Sequence, residues 1–237
     1  MLGGMLCASS GALADEQEAV VLLHGYGRTG YSMLFLESRL KAEGYRVCNV
    51  GYPSMRRSPT ELTEFLHREV NTCCSDATRV HFVTHSLGGI LVRAWLSEHR
   101  PHNLGRVVML APPNRGSELA DIANGLSLLH PILGPTVLQL GTAPASLPNR
   151  LPPPWYGVGV IAGVDNFNPV GGFFVPEPSD GTVSVSSTRL GGMSDFITVA
   201  KSHTFIMWSA EVADYVVRFL RTGHFLETEP PDIPADQ

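Results

Sequence analysis

The tightest constraint in this sequence is a set of short apolar runs, each too uniform to keep one face in water. Ala19-Val20-Val21-Leu22-Leu23 contains no polar side chain, and Arg106 to Leu110 and Val158 to Ala162 are almost as bare. A strand without a polar face belongs in a sheet covered on both sides, which means a parallel sheet flanked by helices. Residues 46 to 50, 79 to 84 and 196 to 200 supply further strands. Helical spacing fills the intervals. One helix runs to about Ala42, where Thr29 or Ser32 can cap its start and Gly44 closes it; others cover Pro59 to Asn71, 86 to 99 and Ala210 to Arg221. The alternation predicts one α/β domain, a mostly parallel sheet with helices on both faces. With 237 residues, 43% of them hydrophobic, the chain can bury one sizeable core, and no second domain is expected. In such a sheet the chemistry lies in loops beyond the carboxyl ends of the strands.

At one of those ends stands Thr84-His85-Ser86-Leu87-Gly88-Gly89, where strand turns into helix. A sharp corner there lifts a serine hydroxyl clear of the sheet and aims the first helical amides at whatever that oxygen attacks. Strand and helix pass close by, so the flanking residues should be small. Gly88 and Gly89 meet this on the helix side, whereas Thr84 puts a branched side chain where such corners carry glycine. The strand at 19 to 23 likewise ends in His24-Gly25-Tyr26-Gly27, whose glycines permit a tight turn with exposed amides. If Ser86 acts as a nucleophile, the amides of Tyr26 and Leu87 are expected to hold the negative oxygen of a tetrahedral intermediate, and His24 to hold the loop by hydrogen bonds.

A serine needs a base, and the base needs an orienting carboxylate. His203 follows the strand at 196 to 200 and so reaches the same edge; His224 lies too far along, and His85 cannot bend back to the adjacent hydroxyl. Two carboxylates compete. Asp165 follows the strand at 158 to 162 in a loose loop, while Asp180 sits in Ser179-Asp180-Gly181-Thr182-Val183. A tight Asp-Gly turn holds a carboxylate more rigidly, which favours Asp180.

Residues 112 to 155 are far more than a crossover requires and read as an insertion. From 122 to 149 there is no Asp, Glu, Lys or Arg but there are seven leucines, interrupted too often by proline and glycine to span a bilayer. An uncharged segment beside the site is expected to form a lid or apolar pocket over Ser86. Residues 1 to 14 are small and apolar and end Ala12-Leu13-Ala14, the pattern of a secretory signal peptide, although no positively charged start precedes it. The mature domain would then cover 15 to 226, with a disordered acidic, proline-rich tail at 227 to 237, and the protein would be exported, periplasmic or secreted. Export leaves Cys48, Cys73 and Cys74, and one disulfide from Cys48 to the Cys73-Cys74 pair is as open as three thiols. The spacing lacks C-x-x-C or a His cluster, so a metal site is not expected. A net charge of −5 with no basic run argues against a nucleic-acid partner.

Taken together, His24-Gly25-Tyr26-Gly27, Thr84 to Gly89, Ala111-Pro112-Pro113-Asn114-Arg115-Gly116-Ser117-Glu118, Ser179 to Val183 and Ser202-His203 resemble the bacterial lipase and esterase branch of the α/β-hydrolase superfamily. The resemblance implies hydrolysis of small-molecule or lipid carboxylic esters with Ser86 as nucleophile, His203 as base and Asp180 as its orienter, needing no cofactor, and transient contact with a lipid interface through the lid. Larger lipases of that branch often hold a structural calcium, for which this sequence offers no clear ligand set. An acyltransferase or peptidase could use the same three residues. A non-catalytic binding protein would be expected to lose one of them, and a dehalogenase would need a carboxylate in place of Ser86.

Overall fold

The computed structural model describes residues 17 to 168 and 171 to 227, so the proposed signal peptide at 1 to 14 and the tail beyond 227 lie outside the described residues. Six strands, β1 (Ala19–Leu23), β2 (Arg46–Val50), β3 (Val80–His85), β4 (Leu104–Leu110), β5 (Val158–Gly163) and β6 (Asp195–Val199), form one sheet among the described residues. Its order is β2-β1-β3-β4-β5-β6. Every pairing is parallel. Helices α1 (Leu34–Ala42), α2 (Pro59–Cys74), α3 (Leu87–Glu98), α4 (Glu118–Gly125), α5 (His130–Val137), α6 (Leu147–Arg150), α7 (Gly171–Phe174), α8 (Val185–Thr188) and α9 (Ala210–Thr222) fill the connections.

Strand β1 shows why the run has no polar face. Ala19, Val21 and Leu23 pack on one side of the sheet with Leu62 and Leu66 of α2 and Ile90 and Trp95 of α3. Val20 and Leu22 pack on the other with Leu36 and Leu40 of α1 and Val216 and Phe219 of α9. Side chains alternate along a strand, so a central strand between two helical layers needs apolar residues at every position. Each fully buried Leu or Val here is worth about 1.5–3 kcal/mol.

Helix α2 begins with a capping box: the Glu61 amide donates to the Ser58 hydroxyl and the Ser58 amide to the Glu61 carboxylate. It continues beyond Asn71 to Cys74, because Val70 and Cys74 remain on its buried face. The first helix departs from expectation. A 3-10 turn, Gly30–Met33, precedes α1, and neither Thr29 nor Ser32 caps it through a side chain; the Ser32 hydroxyl instead donates to the Thr29 carbonyl at 2.8 Å.

The segment at 112 to 155, which the sequence reads as an insertion, carries α4, a 3-10 turn at Ser127–Leu129, α5 and α6. Arg93 of α3, almost fully buried, fastens it. Its guanidinium donates to the backbone carbonyl and side-chain oxygen of Asn114 (both 3.1 Å), to the Pro148 carbonyl (3.2 Å) and to the Leu151 carbonyl (3.3 Å). Loss of solvent on burial pushes the guanidinium pKa down to about 10. At the other end of the insertion, Gly134 at φ +69° lies so close to the Met55 carbonyl that a β-carbon would clash with it. The Tyr26 hydroxyl donates to the Leu133 carbonyl.

Candidate active site

The sheet delivers its loops to one edge. Ser86 follows β3 directly, with its amide on the Leu110 carbonyl of β4 at 2.9 Å and its backbone at φ 53°, ψ −120°. A left-handed φ on a serine stores on the order of 1–3 kcal/mol and persists only where packing enforces it. The enforcement is visible at Gly88, where a β-carbon would stand 2.6 Å from the Leu23 carbonyl oxygen of β1. Thr84 is accommodated because its hydroxyl turns toward the Val108 carbonyl, 3.4 Å away, and because Gly89 beside it has no side chain.

His203, four residues past the end of β6, lies between Ser86 and Asp180. Its Nε2 is 3.1 Å from Ser86 Oγ and its Nδ1 is 2.6 Å from Asp180 Oδ2. Two further bonds set the Asp180 carboxylate: the Thr182 and Val183 amides donate to Oδ1 at 2.9 and 2.8 Å. The His203 amide donates to the Asp180 carbonyl at 3.0 Å, so backbone and side chain of the two residues are tied together. A carboxylate accepting from Nδ1–H leaves Nε2 as the acceptor for the serine proton. Only Ser86 and His203 of the three keep a sliver of exposure, 9% and 8%, against 2% for Asp180. Asp165 lies just past the end of β5, with its amide on the Lys201 carbonyl.

Leu87 opens α3, and the first amides of a helix have no partner within it. Tyr26 stands in the loop after β1. That loop is braced by His24, whose Nδ1 meets the Gly25 carbonyl at 2.8 Å, whose Nε2 accepts the Tyr52 amide at 3.2 Å, and whose ring stacks on Tyr52 at 4.0 Å. Burial holds the His24 imidazole below its usual range.

His85 is a neighbour that sequence reasoning dismissed. It cannot reach the Ser86 hydroxyl, yet its Nε2–H donates to the His203 carbonyl at 3.0 Å and its ring lies 4.7 Å from the His203 ring. Its Nδ1 has no hydrogen-bond partner among the described residues and faces Gly25, where a β-carbon would come within 2.8 Å of it. Burial first, and then the nearby His203, keep its pKa well below the usual value, so it is neutral. A histidine before a serine carries no sequence signal for this contact.

The rim is apolar. Leu128 (90% exposed) and Ile132 (69%) of the insertion, Phe173 (87%) of α7, and Phe205 in the loop after His203 all present hydrophobic surface. Each belongs to a segment that leaves the carboxyl end of a strand.

A sequence search of curated proteins finds no match. Solved structures do resemble the fold. A Bacillus licheniformis lipase in its mature form superposes with a TM-score of 0.65 at 20% identity, over 88% of this chain and 93% of that one. A metagenomic carboxyl esterase gives 0.59 at 16% identity, over 81% and 66%. A phospholipase from Legionella pneumophila gives 0.56 at 20% identity, over 73% of this chain and 45% of its own. Such identities speak for fold alone. The sequence itself matches the profile described as the alpha/beta hydrolase family over residues 20–236. With the sheet, the corner at Ser86 and that match in agreement, this chain is a member of the alpha/beta hydrolase family.

Proposed function

We propose that the protein is a serine hydrolase of carboxylic esters, acting through an acyl-enzyme on Ser86. The observation that carries the reading is the line from Ser86 Oγ through the His203 imidazole to the Asp180 carboxylate. In this reading His203 Nε2 takes the serine proton as Oγ attacks the ester carbonyl, and Asp180 stabilises the imidazolium that forms. The Tyr26 and Leu87 amides receive the oxyanion. His203 then returns its proton to the departing alcohol, and water repeats the sequence on the acyl-enzyme.

The exposed Leu128, Ile132, Phe173 and Phe205 support an acyl chain lying along the 112 to 155 segment, and a surface that touches lipid or another apolar phase while the substrate enters. The small apolar start at 1 to 14 and the Cys48–Cys73 disulfide support export to an oxidising compartment. The test is a series of p-nitrophenyl esters from acetate to palmitate, run on the wild type and on Ser86→Ala. The variant should keep its fold and lose turnover on every ester. Unchanged turnover in a folded Ser86→Ala protein would overturn the assignment.

A further inference from the structure

The sulfur cluster lies away from the catalytic edge, in the middle of β2 and at the carboxyl end of α2. Cys48 is bonded to Cys73, with α-carbons 6.4 Å apart. Cys74 is buried with its sulfur 3.6 Å from that of Cys48, and all three sulfurs lie within 4.8 Å of one another. We propose that Cys48, Cys73 and Cys74 form a thiol–disulfide exchange site: Cys48 changes partner from Cys73 to Cys74, and the released Cys73 sulfur takes up a low-molecular-weight disulfide.

The helix explains why both partners are in reach. Successive helical residues point about 100° apart, so the last two residues of α2 fall to either side of one strand position. The last carbonyls of a helix have no amide donor within it, so the final turn is the least constrained part of α2.

Exchange proceeds by attack of a thiolate on a disulfide sulfur. Cys74 gives its proton to solvent and its sulfur bonds to Cys48; the Cys48–Cys73 bond breaks, and its electron pair leaves on Cys73 as a thiolate. One disulfide is made for one broken, so neither oxidant nor reductant is consumed. The Cys73 thiolate then attacks a small disulfide, forming a mixed disulfide and releasing one small thiolate. Direction comes from exposure. Cys48 and Cys74 are buried, whereas Cys73 is only half-buried and can be reached from solvent.

Burial pushes the Cys74 thiol up to about 11, which sets the pace. Arg46 of β2 opposes that rise and Asp76 adds to it, and the two are themselves paired at 2.9 Å. Cys74 also lines a cavity of about 540 Å³ whose other titratable walls are His67 of α2, Glu98 of α3 and the following His99, Arg100 and His102. The thiolate is scarce at neutral pH, and exchange should quicken about tenfold per pH unit below 11.

The experiment treats the whole protein with oxidised glutathione at pH 7.5 and 8.5, quenches with acid and N-ethylmaleimide, and maps the product by fragmentation between Cys73 and Cys74, with Cys7 read on its own peptide. The expected product carries glutathione on Cys73 and a Cys48–Cys74 disulfide, and forms about ten times faster at the higher pH. Cys74→Ser should keep Cys48–Cys73 closed, and Cys73→Ser should close Cys48–Cys74; neither should take glutathione at these positions. Glutathione on Cys74, an unmodified cluster even at pH 9.5, or a folded Cys73→Ser protein that keeps two thiols under air oxidation would each refute the proposal. Should Cys73→Ser fail to fold, the wild-type map alone decides.

Discussion

Replacing Asp180 with Asn removes one charge and almost no volume, so the structure separates what is lost from what is kept. Asp180 Oδ1 accepts two amides, from Thr182 and Val183, and an asparagine oxygen in the same place still accepts both. The turn therefore survives. Its Nδ2 then replaces the oxygen 2.6 Å from His203 Nδ1. An amide NH₂ can only donate, so His203 must accept at Nδ1 and carry its proton on Nε2, facing Ser86 Oγ. A base already protonated toward its nucleophile cannot take the serine proton, and the imidazolium loses its counter-charge. Catalytic triads broken this way lose roughly four orders of magnitude in turnover, about 5.5 kcal/mol of barrier. Steady-state kinetics on p-nitrophenyl butyrate, with thermal unfolding as the control, should show kcat for Asp180→Asn down by about 10⁴ and KM nearly unchanged, while Asp165→Asn stays within a few-fold of wild type. A folded Asp180→Asn enzyme that keeps a tenth of its turnover would refute the reasoning. A dead Asp165→Asn would shift the role to that carboxylate.

Gly88→Ala should lower stability by roughly 1–3 kcal/mol and reduce turnover, because its methyl would meet the Leu23 carbonyl at 2.6 Å; chemical denaturation measures the first and ester kinetics the second. Leu128→Ser with Leu129→Ser should leave stability within about 0.5 kcal/mol, since Leu128 is 90% exposed, while weakening octanoate hydrolysis several-fold and sparing acetate. Equal loss on both esters would make the segment a stability element and not an acyl surface. His24, His81 and His85 are all held below the usual histidine pKa, chiefly by burial, so the unfolded chain binds protons that the folded one refuses. Their stabilisation is complete above about pH 6.5 and shrinks as pH falls below it toward the folded values, by up to about 1.4 kcal/mol per pH unit per histidine. Urea unfolding between pH 7.5 and 5 should therefore show a falling midpoint, and a flat profile would contradict it.

Most of the frame was legible because burial on both faces leaves an unmistakable residue pattern. Ala19–Leu23 forms β1 with the bounds read from its side chains, and 210 to 221 falls one residue short of α9. Ser86, Asp180 and His203 could be singled out from their places at strand ends and in an Asp-Gly turn, and the fold brings them within hydrogen-bonding distance. What escaped depends on contacts between segments remote in sequence. The His85 bond to the His203 carbonyl spans 118 residues, and Arg93 bonds carbonyls at 114, 148 and 151. The pairing of Cys48 with Cys73 likewise joins residues 25 apart in the chain. The 3-10 turn ahead of α1 escaped for a different reason, since Thr29 and Ser32 are acceptable caps by residue type and only the backbone path tells otherwise.

Arg93 gives the insertion an uneven pair of supports. At its base a single guanidinium draws four oxygens from two stretches of chain into one buried knot, and opening it would strand a charge in a dry interior. At the outer end the side-chain ties are two neutral hydroxyl bonds, from the half-buried Tyr26 to the Leu133 carbonyl and from the buried Thr136 to the Arg57 carbonyl. The segment is thus held by a charge at its base, against α3, and by neutral bonds at its outer end. Tyr26 stands in the loop after β1, whose Gly25 packs against Ser86, so one residue joins the outer end of the segment to the loop beside the serine.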